Sequence, residues 1–183
     1  MHEKQFDGAV ERLRSPERVV RLEVERVADL CLESGGFKTV LDVGVGSGIF
    51  AEAFSRRGLV VAGVDINPQM VTAARQFVPQ GDFREAPAEA LPYPDGSFDL
   101  VFMGLLLHES DEPRKVLQEA RRVTCRQVCI LEWPYLEEEF GPPLAHRLKP
   151  ADIAEMSRQA GFARLETVQL NHLVLYRLNT REI

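Results

Sequence analysis

The sequence predicts one α/β domain built on a doubly wound, mostly parallel seven-stranded sheet with one antiparallel strand near the C-terminus. Short apolar runs alternate with stretches of helical periodicity along the 183 residues, a pattern that is typical of βαβ units. A glycine-rich turn follows the first apolar run, and the last two strand-like runs adjoin near Asn171. We expect residues 1–183 to form this single domain, with residues 1–35 as an N-terminal helical cap.

Apolar periodicity and capping residues place the individual elements. Ser15 is a typical N-cap and Pro16 a typical first helical residue, so a first helix is expected from there to about Cys31. Further helices are predicted to begin near residues 49, 68, 113 and 151, and strands are predicted over residues 39–43, 59–64, 81–84, 98–104, 127–132 and, as two runs, 163–178.

Composition favours a cytoplasmic protein whose ligand is not a nucleic acid. The chain has 22 Lys and Arg against 28 Asp and Glu, a net charge of −6, whereas nucleic-acid binders usually present a basic face. No apolar run approaches the ~20 residues of a membrane helix, and the first residues lack the apolar core of a signal peptide. The cysteines Cys31, Cys125 and Cys129 form no zinc-type motif, so no metal site is predicted.

The strongest functional motif is VLDVGVGSG at residues 40–48, where a predicted strand turns into a helix. Glycines there allow unusual backbone angles and close approach of a ligand, and the helix N-terminus presents free N–H groups. The dinucleotide fingerprint requires glycine where this chain has Ile49. Asp42 suits a ligand with an ammonium group and would repel a pyrophosphate. The motif therefore favours a nucleoside that carries an amino acid.

A second acid, Asp65, ends the second predicted strand, 21 residues after Gly44. In doubly wound sheets an acid at this place accepts hydrogen bonds from both ribose hydroxyls. Taken alone, the glycines are also typical of a tight turn and the acid of a helix cap. Their spacing within a βαβ frame favours a nucleoside site.

These motifs resemble those of the class I S-adenosylmethionine-dependent methyltransferases, in particular the type 11 branch that includes the ubiquinone/menaquinone C-methylation enzymes. The resemblance runs from about Arg18 to Leu178. VLDVGVGSG resembles the first family motif, VVAGVDINPQM the second, EALPYPDGSFDLVFMGLLLHESDEP the third and fourth blocks, and DIAEMSRQAGFARLE the closing helix and strand. The resemblance implies a Rossmann-like fold, S-adenosyl-L-methionine as the cofactor and methyl transfer as the activity.

The resemblance also implies which residues contact the cofactor. The glycine turn would lie under its methionine and ribose, the end of the second strand would hold its ribose and adenine face, and a later loop would flank the adenine edge. Relatives often carry an acid at the position of Pro87, so here we expect Glu89 or backbone groups to recognise that edge. The residues assigned in this way are Asp42, Gly44, Gly46, Gly48, Asp65, Ile66, Ala88 and Glu89.

Methyl transfer needs alignment and exclusion of water, and it needs a base only when the acceptor must lose a proton. His108, just past the fourth predicted strand, is the candidate catalytic base, and relatives present this position to the methyl group. Glu109 beside it is the second catalytic candidate, which would orient His108 or bind a cationic acceptor. Trp133, Tyr135 and His146 are candidates for the acceptor wall, with core packing as the competing interpretation.

The short chain suits a small-molecule acceptor, or an acceptor surface completed by a second subunit in a homodimer. Three alternatives stay open: a cofactor-binding module without transfer, an RNA or protein methyltransferase of the same fold, and a nicotinamide-dependent oxidoreductase. The net charge weighs against RNA, and Ile49 weighs against the nicotinamide dinucleotide. No membrane partner is expected.

Overall fold

A computed structural model describes residues 10–181 of the chain. Within these residues seven strands form one sheet in the order β3-β2-β1-β4-β5-β7-β6. The strands are β1 Thr39–Val43, β2 Val60–Asp65, β3 Asp82–Glu85, β4 Phe98–Gly104, β5 Thr124–Glu132, β6 Arg164–Gln169 and β7 Val174–Asn179. The helices are α1 Val10–Leu13, α2 Pro16–Leu22, α3 Val24–Leu32, α4 Ile49–Arg56, α5 Pro68–Phe77, α6 Pro113–Val123 and α7 Pro150–Gln159, with short 3-10 turns at Leu107–Glu109 and Leu144–His146.

The strand directions confirm the predicted sheet. The first five strands pair in parallel, whereas β7 runs antiparallel to both β5 and β6. Successive side chains of a strand point to opposite faces of the sheet, and here each face is covered by a hydrophobic core. Val40 and Phe102 belong to the core that also includes residues of α3, α4 and α5. Leu41 and Val101 belong to the core that includes residues of α6 and α7.

The strand order reverses between β1 and β4, which are neighbours at the centre of the sheet. The helix that follows β1, α4, packs on one face, and α6, which follows β4, packs on the other. The two connections therefore separate and leave a crevice at the carboxyl ends of the strands, where doubly wound sheets bind ligands.

The predicted first helix from residue 16 to about residue 31 is wrong as one element, because it is broken at Glu23. This residue adopts left-handed angles, φ 47° and ψ 43°, and separates α2 from α3. Its carboxylate accepts the Asn171 backbone N–H at 2.8 Å, so a contact from the β6–β7 turn holds the break in place. Ser15 does cap α2, with Pro16 as its first residue. Of the predicted cap, residues 1–9 lie outside the described residues.

The other predicted elements are observed with small changes of boundary. β5 begins at Thr124 rather than residue 127, because α6 leads directly into it without an intervening turn. The remaining boundaries agree with the predicted ones to within one residue. No helix in the described part of the chain is both long enough and apolar enough to cross a bilayer.

Substitution of Gly48 tests whether close packing against α5 constrains the turn between β1 and α4. Its φ is +75°, and a Cβ there would lie 3.0 Å from the Ala74 Cα on α5. Gly58 has a similar φ of +83° but open space around it. We expect Gly58→Ala to cost about 1–2 kcal/mol of unfolding free energy from backbone strain alone. Gly48→Ala should cost about 1–3 kcal/mol more, because α5 must also move.

Urea unfolding of the wild type and both variants measures this difference. Equal losses at the two glycines would show that the α4–α5 contact does not constrain the turn.

Candidate functional site

A cavity of about 790 Å³ lies at the carboxyl ends of the central strands. Its floor is formed by residues that follow or end β1, β2 and β4, such as Gly44, Asp65 and Leu105. Helices α1 and α2 contribute one wall, and residues 133 and 141–146 contribute another. Three separate parts of the chain therefore meet at the place where the sheet topology opens a crevice.

The glycine turn is held against β2 by its own backbone. The N–H groups of Gly44 and Val45 both donate to the Val64 carbonyl at 2.9 Å. Gly44 has φ +71°, and a Cβ there would lie 2.9 Å from the Leu106 side chain. The left-handed angle favours glycine, and a Cβ at this position would also require the Leu106 side chain to shift. Gly44 and Gly46, both predicted to contact the cofactor, line the cavity.

Asp65 is oriented by the backbone around it and faces the cavity. Its Oδ2 accepts the Gly46 N–H and its Oδ1 accepts the Asn67 N–H, each at 2.9 Å. Each carboxylate oxygen can accept a further hydrogen bond, so the group can still receive two adjacent hydroxyls. Burial raises the pKa of Asp65, although the N–H groups of Asn67 and Gly46 oppose this rise.

Asp42 is a carboxyl group with only 2% of its surface exposed, at the end of β1 and in the lining of the cavity. Burial raises its pKa to about 8, against the opposing hydrogen bond from the Ala51 backbone, and the nearby charge of Asp65 adds to the rise. A cation placed beside Asp42 would favour its ionised form. The position therefore suits an ammonium group.

The residues predicted at the adenine edge lie together on one side of the cavity. Ile66, 57% exposed, presents its side chain at the opening. Pro87, Ala88 and Glu89 also line the cavity. The Glu89 carboxylate accepts the Ser110 hydroxyl at 2.6 Å, which joins this loop to the segment after β4.

Two predicted site residues are not among those that line the cavity. Gly48 lies behind the turn, against Ala74 of α5, where it serves packing between helices. Tyr135 is 39% exposed, and the Lys149 ammonium lies 5.6 Å from the centre of its ring. Trp133 and His146, predicted from the same segment, do line the cavity.

His108 and Glu132 form a buried imidazole–carboxylate pair beside the cavity. His108, 8% exposed, lies in the 3-10 turn after β4, and Glu132, 1% exposed, ends the neighbouring β5. The Nδ1 of His108 is 2.8 Å from the Glu132 Oε2, and the His108 backbone N–H donates to the other oxygen at 3.1 Å. Because a carboxylate accepts at Nδ1, that nitrogen carries the proton, and Nε2 is left as the basic nitrogen.

Glu132 also sets the basicity of His108. Burial opposes protonation of the imidazole, but the hydrogen bond and charge of Glu132 outweigh it and raise the pKa of His108 above its ordinary value of 6.5. Glu109 adds to the rise, with its Oε1 3.9 Å from the His108 Nε2. Glu109, predicted to orient His108 or to bind a cationic acceptor, lies near His108, but the hydrogen bonds that orient the ring come from Glu132. Sequence reasoning missed Glu132, since nothing in its own strand marks it.

Arg147 organises the irregular segment that forms the wall around Trp133. Its buried guanidinium donates to four backbone carbonyls at 2.6–3.1 Å and lies 5.6 Å from the Trp133 ring centre. This planar group has five N–H donors and suits several carbonyls at once. The sequence predicts only an irregular segment there, and the arginine that shapes it was missed. The carbonyls belong to Pro134, Leu136, Phe140 and Pro142.

The short N-terminal helices are joined to the floor of the cavity by Arg14. Its guanidinium donates to the Ser47 carbonyl at 3.0 Å and forms an ion pair with Glu52 of α4. It also lies 3.5 Å from the centre of the Phe77 ring on α5. These contacts hold α1 and α2 over the glycine turn.

The His108–Glu132 pair leads to a prediction about pH. A raised folded-state pKa means that the pair stabilises the fold fully below the unfolded value near 6.5, and that this contribution is lost as pH rises through the folded value. Glu132→Gln should lower the His108 pKa by about 1–3 pH units, because burial remains while the charge is removed. Titration of the His108 ring protons by NMR measures the change.

Glu109→Gln is the matched control for this titration. It should lower the His108 pKa less than Glu132→Gln does, since Glu109 lies 3.9 Å away without a hydrogen bond. Equal effects of the two substitutions would contradict the assignment of Glu132 as the positioning residue.

Comparisons with known proteins agree with this geometry. A family model described as a methyltransferase domain matches residues 41–130. A demethylmenaquinone methyltransferase of Renibacterium salmoninarum is 35% identical over 103 residues, which are 56% of this chain and 44% of the relative. A malonyl-[acyl-carrier protein] O-methyltransferase of Halorhodospira halophila is 32% identical over 174 residues, 87% of this chain and 55% of the relative. The chain thus spans about half the length of these curated relatives.

A solved structure of an S-adenosylmethionine-dependent methyltransferase from Aquifex aeolicus is similar over nearly the whole chain. It superposes with a TM-score of 0.81 at 25% sequence identity, over 97% of this chain and 100% of that one. The sheet order, the glycine turn and the domain match therefore all indicate a methyltransferase fold. Residues 41–130 match the methyltransferase domain, and the chain has the fold of the S-adenosylmethionine-dependent methyltransferases, whose cofactor is S-adenosyl-L-methionine.

Proposed function

We propose that this protein transfers the methyl group of S-adenosylmethionine to a small-molecule acceptor bound between His108 and the N-terminal helices. The observation that carries the proposal is the buried His108–Glu132 pair, whose imidazole lines the same cavity as Asp42 and Asp65. Binding of the cofactor alone would not require a basic nitrogen there. The pair therefore favours an enzyme over a cofactor-binding module.

The residues of the cavity fit the cofactor. A volume of about 790 Å³ lies within the range of small-molecule sites, roughly 300–1,000 Å³. Asp42 would hold the amino group, Asp65 the ribose hydroxyls, and Ile66 the adenine face, with Ala88 and Glu89 at the adenine edge. Gly44 and Gly46 would lie under the methionine and ribose, while Gly48 acts through packing.

When bound, S-adenosylmethionine supplies a methyl group on a positively charged sulfur, and the electron pair of the broken carbon–sulfur bond stays with that sulfur. This chain's residues contribute alignment, exclusion of water and a place for a proton. His108 receives the proton of the acceptor at Nε2, while Glu132 keeps the ring oriented through Nδ1. Trp133 and the α1–α2 wall shield the site from water.

The relatives do not share one acceptor. Their names include a demethylmenaquinone methyltransferase, an O-methyltransferase that acts on malonyl-[acyl-carrier protein] and a phosphatidylethanolamine N-methyltransferase. Similarity alone thus supports methyl transfer but does not identify the acceptor. The identity of the acceptor depends on the residues of this chain that form the walls of the cavity. The net charge of −6 supports a small molecule over RNA as the acceptor. We also propose that a second subunit of a homodimer completes the surface that binds the acceptor.

The proposed transfer is tested with a cofactor that carries a deuterated methyl group. Incubation with a metabolite extract should produce labelled ions by mass spectrometry. His108→Gln should reduce labelled product by about a hundredfold or more, with little change in the affinity for S-adenosylhomocysteine. Asp65→Asn should instead weaken that affinity by about tenfold, since it removes a charged hydrogen-bond partner. The reverse pattern, or no labelled product, would contradict the proposal.

The raised pKa of Asp42 predicts that binding of the cofactor is coupled to release of a proton from this carboxyl group. With a pKa of about 8 in the protein alone, Asp42 is mostly protonated at neutral pH, and an ammonium beside it would favour the carboxylate. Affinity for S-adenosylhomocysteine should therefore increase as pH rises toward about 8. Calorimetry in buffers of different ionisation enthalpy measures the proton released. Asp42→Asn should abolish this release; its persistence in that variant would contradict the assignment.

A further inference from the structure

Trp133 is held at the cavity by the carboxylate that also orients His108. It is the only tryptophan of the chain, lines the cavity and is 7% exposed. Its backbone N–H donates to the Glu132 Oε2 at 3.3 Å, and the same oxygen lies 2.8 Å from the His108 Nδ1. One carboxylate at the end of β5 therefore fixes both the imidazole and the start of the segment that carries the indole.

Gly141 lies against the six-membered ring of the Trp133 indole. Its φ is +91°, and a Cβ there would lie 2.6–2.8 Å from three carbon atoms of that ring. Because the nearest of them, Cδ2, is a ring-fusion carbon, the glycine approaches the face of the indole and not its edge. The preceding residue, Phe140, contacts the Arg21 guanidinium of α2, which lies 3.7 Å from its ring centre. The backbone at Gly141 therefore supports one face of the indole.

Arg147 joins the two sides of this contact. Two of the four carbonyls that its guanidinium holds belong to the residues on either side of Gly141, and a third belongs to Pro134, directly after Trp133. A planar group with five N–H donors can bond carbonyls from both parts of the segment, whereas a lysine ammonium concentrates its donors on one atom. Arg147 therefore sets the position of the indole relative to the glycine that supports it.

An indole fixed in this way suits a flat ring as its ligand. Aromatic rings in offset-stacked or edge-to-face contact are stabilised beyond the area that they bury, and a surface that is already fixed loses little freedom when a ligand binds. The His108 imidazole and the Phe50 ring line the same cavity as Trp133. A ring held against the indole would therefore lie in the same space as the imidazole.

We propose that the methyl acceptor carries an aromatic ring that contacts the Trp133 indole, and that Gly141 and Arg147 are positioning residues that hold the indole for it. The inference rests on the proposed methyl transfer, since it assigns the acceptor class of that same site. The ring of the acceptor lies against Trp133 while its reacting atom faces His108. If Trp133 served core packing alone, it would give no preference for aromatic over saturated ligands.

The test measures ligand binding by calorimetry with the protein saturated with S-adenosylhomocysteine, so that only the acceptor part of the cavity is open to the probes. The aromatic probe is 4-ethylphenol, and 4-ethylcyclohexanol is the saturated probe of similar size. The phenol should bind at least about threefold more tightly, as expected for one contact between aromatic rings. Trp133→Leu should abolish this preference.

Gly141→Ala tests the support of the indole. It should abolish the preference and shift the fluorescence emission, because the new Cβ displaces the only indole of the protein. Gly161→Ala is the matched control, since Gly161 has a similar φ of +86° but no atom within 4 Å of the place that a Cβ would take. The control carries similar backbone strain and should leave the emission and the preference unchanged.

Arg147→Lys tests the positioning role while keeping the positive charge. It should shift the emission of Trp133 and abolish the preference, with the affinity for S-adenosylhomocysteine unchanged. A purely structural role of Arg147 would lower the free energy of unfolding in urea without altering the relative affinity of the two probes.

The possible failures are distinguishable. If S-adenosylhomocysteine does not bind, the proposed function fails and this inference fails with it. If it binds but 4-ethylcyclohexanol binds as tightly as 4-ethylphenol, or neither probe binds, only the aromatic acceptor is overturned. Equal effects of Gly141→Ala and Gly161→Ala, or an unchanged preference in Arg147→Lys, would overturn the positioning roles.

Discussion

The site depends on one constraint of topology, the reversal of strand order between β1 and β4. These strands lie side by side and parallel, yet the chain leaves them toward opposite faces of the sheet, to α4 and to α6. No connection can therefore cover the carboxyl ends of both strands, and a cavity opens between them. The glycine turn, Asp65, His108 and Glu132 all belong to strand ends or to the segments that follow them.

The cavity separates charge according to the element that supplies it. Carboxyl groups at the ends of β1 and β2 line the cavity, and arginines of the short N-terminal helices line it as well. The His108–Glu132 pair lies between these regions, at the ends of β4 and β5.

Local patterns were sufficient for the parts of the site that lie close together in sequence. The glycine turn with Asp42, and Asp65 at the next strand end, were predicted because each depends on a strand followed by a tight turn. Glu132 and the break at Glu23 were not, since their partners lie 24 and 148 residues away. Arg147 was missed because its partners, 5–13 residues away, belong to a segment without helix or strand periodicity. Gly48 was assigned to the site by its place in the glycine motif, whereas the structure packs it against α5. Tyr135 was assigned as an aromatic candidate for the acceptor wall, whereas the structure leaves it exposed.

The sequence by itself determined the order of helices and strands, the glycine turn after β1, and the position of an acid at the end of each of the first two strands. These features follow from local backbone preference and from the period of apolar residues, which act over a few positions. Only the tertiary structure decided which side chains meet. The pairing of β4 with β5 places Glu132 behind His108, and the bend at Glu23 accompanies the placement of α2 along the cavity. Contacts of this kind depend on the whole sheet being formed, so no short segment encodes them.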